Sequence, residues 1–279
     1  MKKILLPTDF SSNSLNAVKY AVQLFKDEKC TFYLLNTYTP TIYYIEYIPI
    51  NSNPAGLSVS IKENLLNDLN TIVEKLKTEF NNPNHDFETI ATFNTLILEI
   101  NEITKEKHID YIVMGTKGAT GAKEILFGSN TVHVIKNAKC PVLAIPGDFT
   151  FEKPHEILFP SDYGIDFQEK HVQPIIDIAM LHIGRVNILN VSYGYDLTKE
   201  QEKNKKKLDA FFKNIAHLFH SVIDQEIQEA ITMFQQKTRV NLLIMINNKH
   251  SFFENLFFKS TINQIGFHLN IPFMVIPSK

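Results

Sequence analysis

Apolar residues along the chain fall into two alternating patterns: short unbroken runs, and longer stretches with a period near 3.6. Ile4-Leu5-Leu6 is a run of the first kind, ended by Pro7-Thr8-Asp9, and it predicts a buried strand. The residues that follow, Leu15, Val18, Ala21, Val22 and Phe25, keep helical spacing, with Ser11 or Ser12 placed to cap the helix. Thr31 to Asn36 is β-branched, aromatic and apolar, a second strand. Strand, helix and strand of this length imply a right-handed parallel crossover. A long connection from Thr37 to about Leu57, carrying Tyr38, Tyr43, Tyr44 and Tyr47, is the kind that serves as a lid, a binding loop or an edge cover. Ile61 to Phe80 predicts a second helix, Phe87 to Phe93 a third strand and Thr95 to Lys107 a third helix. Ile109 to Val113 is a fourth strand, Val132-His133-Val134-Ile135 begins a fourth helix, and Val142 to Ile145 is a fifth strand. Alternation of this kind predicts a doubly wound parallel sheet covered on both faces.

The pattern then repeats. Gly147 to Pro154 is a short, turn-rich linker, and Glu156 to Tyr163 restates Lys3 to Phe10 at an offset of 153. Val186 to Val191 echoes Phe32 to Thr37 at 154, and Ile271 to Pro277 echoes Cys140 to Pro146 at 131. The expectation is two tandem α/β domains, residues 1–150 and 151–279, each a five-stranded doubly wound parallel sheet, the second shorter in its middle. A helix is expected from Glu200 to Phe219. His217 and His220 are read as three apart on it, a spacing compatible with a metal, but no third ligand is evident and surface histidines are the simpler reading. Lys203, Lys205, Lys206 and Lys207 read as a solvated helix face.

Composition changes this picture little. With 279 residues, 44% hydrophobic, the chain can fill two cores, and a net charge of −2 gives no bias toward nucleic acid or an anionic membrane. Cys30 and Cys140 show no metal spacing and read as reduced, packed thiols. The apolar run after Met1-Lys2-Lys3 is too short for a signal peptide, and no run approaches a membrane span. A cytoplasmic location is the expectation.

Candidate chemistry is concentrated between the fourth strand and fourth helix. Gly115, Gly118, Gly128 and Ser129 form the spacing G-x2-G-x9-G-S. Glycines let backbone approach a ligand closely and take φ > 0, and the N–H groups and dipole at a helix start favour an anion, so the loop suits a phosphate. Ser129 and Thr131 add hydroxyls, and Ser129 can also cap the helix. Neither the dinucleotide fingerprint nor the P-loop is present, because Gly121-Ala122-Lys123-Glu124 lacks both patterns.

This spacing resembles the ATP-binding motif of the universal stress protein family. The resemblance extends to Lys3 to Ser11, similar to that family's first strand with its nucleotide-facing Asp, and to Cys140 to Pro146, similar to its last strand. It implies the adenine nucleotide alpha-hydrolase-like fold and an ATP site, with or without Mg2+. Pro7, Thr8, Asp9 and the main chain near Thr37 would face the adenine, and Met114 and Gly115 the ribose. Gly118, Gly128, Ser129, Asn130 and Thr131 would surround the phosphates. Lys117 and Lys123 either add charge there or are solvated loop lysines, and Asp9 has the alternative of capping its helix. Phe93 stands where family members commonly carry Gly or Pro, so it lines or crowds the adenine side.

Carried back along the second copy, the 131 offset sets Ile246 against Gly115, Lys249 against Gly118, Lys259 against Gly128 and Ser260 against Ser129. A β-branched Ile disfavours φ > 0, and the loop gains Phe252, Phe253, Phe257 and Phe258. The second half is therefore expected to keep the fold, lose the nucleotide and support an intrachain pseudo-dimer, with a homodimer of the whole chain as a further option. A regulatory, stress-responsive ATP binder without a catalytic residue or metal site is the leading expectation. A slow ATP hydrolase and a scaffold without nucleotide are the alternatives.

Overall fold

A computed structural model describes residues 1–39, 54–116, 128–192, 194–248 and 270–278, with backbone only for 54–59. The first half runs β1 (Lys2–Pro7), α1 (Ser12–Leu24), β2 (Cys30–Tyr38), α2 (Pro54–Phe80), β3 (His85–Phe93), α3 (Leu96–Lys107), β4 (Tyr111–Gly115), α4 (Ser129–Asn137) and β5 (Val142–Ile145). The second runs β6 (Glu156–Pro160), α5 (Glu169–His182), β7 (Arg185–Ser192), α6 (Lys199–Phe212), β8 (His217–Ile223), α7 (Ile227–Thr238), β9 (Leu242–Asn247) and β10 (Phe273–Pro277).

All the strands join one sheet in the order β3-β2-β1-β4-β5-β10-β9-β6-β7-β8. Within each half every pair is parallel; across the middle, β5 and β10 pair antiparallel, Leu143 opposite Met274. The order is thus one half followed by its reversed copy, as a twofold axis between β5 and β10 generates. These strand edges join the halves; the phenylalanine-rich loop expected to support that contact lies outside the described residues.

The strands read as apolar runs because both faces are covered. On one face Ile4, Leu6, Phe32, Leu34 and Val113 meet α1 and α2; on the other Leu5, Leu35, Ile112 and Met114 meet α3 and α4. Each fully buried Leu, Ile or Phe contributes about 1.5–3 kcal/mol from burial. The first of these clusters continues across the midline into Ile175, Ile178 and Ile188.

Several elements differ from the periodicity reading. The helix expected from Glu200 to Phe219 ends at Phe212, and His217 to Ile223 forms edge strand β8. His217 and His220 therefore point to opposite faces. His217 Nε2 lies 2.9 Å from Asp209 Oδ1, and His220 Nε2 lies 3.0 Å from Asn187 Oδ1, so the two do not share a ligand. Helix α4 begins three residues before Val132, and its N-cap is Gly128, with Ser129 the first helical residue. The Gly147–Pro154 linker is docked: Phe149 and Phe151 lie against Tyr20 with ring centroids 6.1 and 5.1 Å away. Of the lysine run, Lys207 pairs with Asp166 at 2.7 Å and Lys205 lies over the rings of Tyr163 and Phe219, while Lys203 and Lys206 are exposed.

Candidate functional site

The strand order turns at β1, whose chain leads one way to β2 and β3 while β4 and β5 lie on its other side. Ligands of doubly wound sheets bind beyond the carboxyl ends of the strands at such a switch point. Pro7 pairs with Leu35 on β2, and Leu5 pairs with Ile112 on β4. These registers set the carboxyl ends of β1, β2 and β4 side by side. The strand-end residues Pro7, Thr8, Asp9, Thr37, Met114 and Gly115 are thereby gathered at one end of the sheet.

The turn after β1 is tightly built. Thr8 is buried; its N–H donates to the Leu35 carbonyl at 2.8 Å and its carbonyl accepts from Asn36 Nδ2 at 2.8 Å. Its hydroxyl accepts from the Phe10 N–H at 3.1 Å and meets Ser14 Oγ at 2.9 Å. Phe10 is left-handed, φ 64°, a costly conformation for an aromatic residue. It turns the chain so that Asp9, exposed, accepts from the Ser11 N–H at 3.1 Å and from the Ser11 hydroxyl at 2.5 Å. Ser11, not Asp9, is the N-cap of α1, accepting from the Ser14 N–H.

On the other side of the switch point, β4 ends at Gly115 and α4 begins after Gly128. The Gly128 N–H donates to the Thr116 carbonyl at 2.6 Å, closing the loop at its base. Thr131 is buried, and its hydroxyl donates to the Gly115 carbonyl at 2.9 Å, tying helix to strand. Neither Gly115, in the strand, nor Gly128, at φ −60° and ψ 153°, is left-handed. Neither position calls on the positive φ that glycine allows. Ser129 and Asn130 are exposed at the first turn, where helix N–H groups lack intrahelical partners, and the N-cap makes no side-chain hydrogen bond. Lys117, Gly118 and Lys123 lie outside the described residues, as do Tyr43, Tyr44 and Tyr47. Phe93 is 57% exposed and meets the Tyr38 ring edge-on at 5.7 Å.

The second half repeats four of the bonds of the β1 turn. Ser161 N–H donates to Leu189 O at 2.9 Å, Asn190 Nδ2 to Ser161 O at 2.9 Å, Tyr163 N–H to Ser161 Oγ at 3.1 Å and Gly164 N–H to Asp162 Oδ1 at 2.9 Å. Tyr163 is left-handed, φ 56°. Here helix α6 also seals the turn, Gln201 Nε2 donating to Asp162 O at 2.8 Å and Asn204 Nδ2 to Tyr163 O at 2.9 Å. On the β4 side the copies diverge. Ile246 is a buried strand residue in the place of Gly115, so the change there is a filled space with no change of backbone region. Lys249, Lys259, Ser260 and the four loop phenylalanines lie outside the described residues.

Asn36 and Asn190 were not among the candidate residues. Their signal in the sequence was a polar residue inside an apolar run, recurring at the 154-residue offset. Among the described residues, no group of three or more His, Cys, Asp or Glu is placed to hold a metal, and no helix is long and apolar enough to cross a membrane.

Comparison with known proteins gives a family. Two universal stress proteins of Methanocaldococcus jannaschii are similar to this chain, one 36% identical over 145 residues (52% of this chain, 81% of that protein) and one 33% identical over 160 (52% and 94%). A solved universal stress protein of Archaeoglobus fulgidus covers 99% of this chain and 96% of its own at 19% identity and a TM-score of 0.65, so both halves have its fold. The family model described as "Universal stress protein family" matches residues 1–146, and the chain belongs to that family.

Proposed function

We propose that the protein is an adenine-nucleotide-binding regulator with a stress-response role, built of domains 1–150 and 151–279, in which the first alone holds ATP. One observation carries this reading: Gly115 and the Gly128-Ser129 helix start stand at the same switch point as the Thr8–Asp9 turn in the first half, while the aligned sequence of the second half carries Ile246 and Lys259 in place of the two glycines. The main chain at α4 supplies N–H groups for phosphate oxygens. The Asp9 carboxylate and the Thr37 backbone provide acceptors and donors for a base, while Met114 and Gly115 leave room for a ribose. Bound ATP contributes the charge that α4 neutralises; the chain's own part is to hold and orient it. Asp9 is engaged by the Ser11 N–H and hydroxyl, and a carboxylate held this way is a poor general base, which favours binding over turnover.

Thermal melts with and without ATP, followed by phosphate-release measurements, test the reading. ATP at one hundred times its dissociation constant stabilises by about 2.7 kcal/mol, roughly 4–5 °C for a chain of this size. Absence of any shift would favour the scaffold alternative, and a shift accompanied by steady phosphate release would favour the hydrolase.

A further inference from the structure

Helices α1 and α5 lie on the same face of the sheet, either side of the β5–β10 pair, and polar contacts bridge the halves there. Lys2 Nζ pairs with Asp177 at 2.7 Å. His182, the last residue of α5, is 5% exposed, and its ring lies beside the backbone of Leu24, the last residue of α1, in the opposite half. The ring nitrogen Nε2 is buried without a hydrogen-bond partner.

The first half shows that the fold does not require an ionisable ring here. Helices α1 and α5 align at an offset of 157, matching buried Ser14 with His171, Val18 with Ile175 and Ala21 with Ile178, and setting His182 where the first half carries buried Phe25. A neutral imidazole suits the seam, because Nε2 left bare needs no acceptor. An imidazolium does not, because its second N–H would be buried unpaired. The charged groups facing His182 are Asp27 from the turn after α1, which favours its charge, and Lys153 and His155 from the segment before and into β6, which oppose it.

We propose that His182 makes the contact between the two halves acid-sensitive: on protonation the last turns of α1 and α5 separate, while the β5–β10 pairing holds. The proposal is independent of any nucleotide. Burial is the main cause that pushes His182 down to about 4, below the ordinary value near 6.5. The sign follows: the open form takes up protons first, so the closed seam is fully stable above about pH 6.5 and weakens as pH falls toward 4.

Hydrogen exchange on the full chain at pH 7 and pH 5, corrected for intrinsic rates, tests this. Opening at residues 20–26 and 178–185 should rise roughly twentyfold at pH 5, as these two values imply, while β5 and β10 stay protected. His182→Phe, which installs the first half's residue, should abolish the rise. His182→Asn, which keeps a polar side chain but cannot ionise, should do the same and serves if the Phe variant folds poorly. An unchanged native seam at pH 5, a loosening spread evenly over both halves, or a rise that persists in the variants would overturn the proposal.

Discussion

Asn36 and Asn190 allow the same perturbation to be made twice in one chain. Each is buried, 9% and 6% exposed, and each donates to the carbonyl at the end of the neighbouring strand. Replacing either with Leu keeps the side chain's size and leaves a buried carbonyl without its donor, at a cost of about 1–3 kcal/mol. With an unfolding entropy of about 2.1 cal/mol/K per residue, the 279-residue chain has about 0.6 kcal/mol/K, so either substitution should lower the melting temperature by roughly 2–5 °C. The two then part. Asn36→Leu loosens the turn that presents Asp9 and should weaken ATP binding about tenfold, the effect of about 1.4 kcal/mol. Asn190→Leu loosens a turn whose half carries Lys259-Ser260 in the sequence place of Gly128-Ser129, and affinity should stay within about twofold. Calorimetric titration of both variants with ATP, beside their melts, reads both quantities. Equal losses of affinity, or an Asn36→Leu variant that melts lower but binds ATP normally, would refute the assignment of the site to the first half's turn.

Thr131→Val removes the donor to the buried Gly115 carbonyl and should cost about 1–2 kcal/mol in urea unfolding, with weaker ATP binding as α4 shifts on β4. A Cβ at Gly184 lands on the Pro154 carbonyl oxygen, so Gly184→Ala should destabilise by more than about 2 kcal/mol, because backbone must move. A Cβ at Gly147 meets only the Asn13 side chain, which can rotate aside, and Gly147→Ala should stay within about 0.5 kcal/mol; paired denaturation curves check the contrast. Burial, above all, raises the thiols of Cys30 and Cys140 to about 12 each, so the native protein should label at pH 8 only at the rate at which it unfolds, measured with a chromogenic disulfide.

How far the sequence announced this structure depended on burial. Strands covered on both faces, such as Ile4-Leu5-Leu6 and Val142 to Ile145, were legible as unbroken apolar runs. Edge strand β8 was not: with one neighbour only, His217-Leu218-Phe219-His220 mixes polar and apolar residues and extends the rhythm of the helix before it. The start of α4 was hidden for a related reason, since Ser129 and Asn130 are exposed and carry no apolar periodicity. The site was legible as a glycine spacing, but its backbone was not, because Gly115 and Gly128 adopt φ, ψ values open to any residue. Thr131 offered a hydroxyl on paper; burial turned it inward to Gly115.

The repeat separates what the fold needs from what a ligand needs. Asp9 and Asp162 occupy the same place in the same turn, each accepting from the N–H two residues on, behind left-handed Phe10 and Tyr163. A carboxylate kept in both halves has a structural reason to be there, so Asp9 by itself says little about nucleotide. The glycines are different. The second half completes β9 with Ile246 in the place of Gly115 and still pairs it along β6 and β10, so the sheet does not require a glycine at that point. A buried isoleucine fills this place in the second half, so the fold tolerates a side chain where the first half carries Gly115 at the start of the glycine spacing. The ligand reading therefore rests on the β4 and α4 side of the cleft, and substitutions there should separate binding from stability where those in the turn cannot.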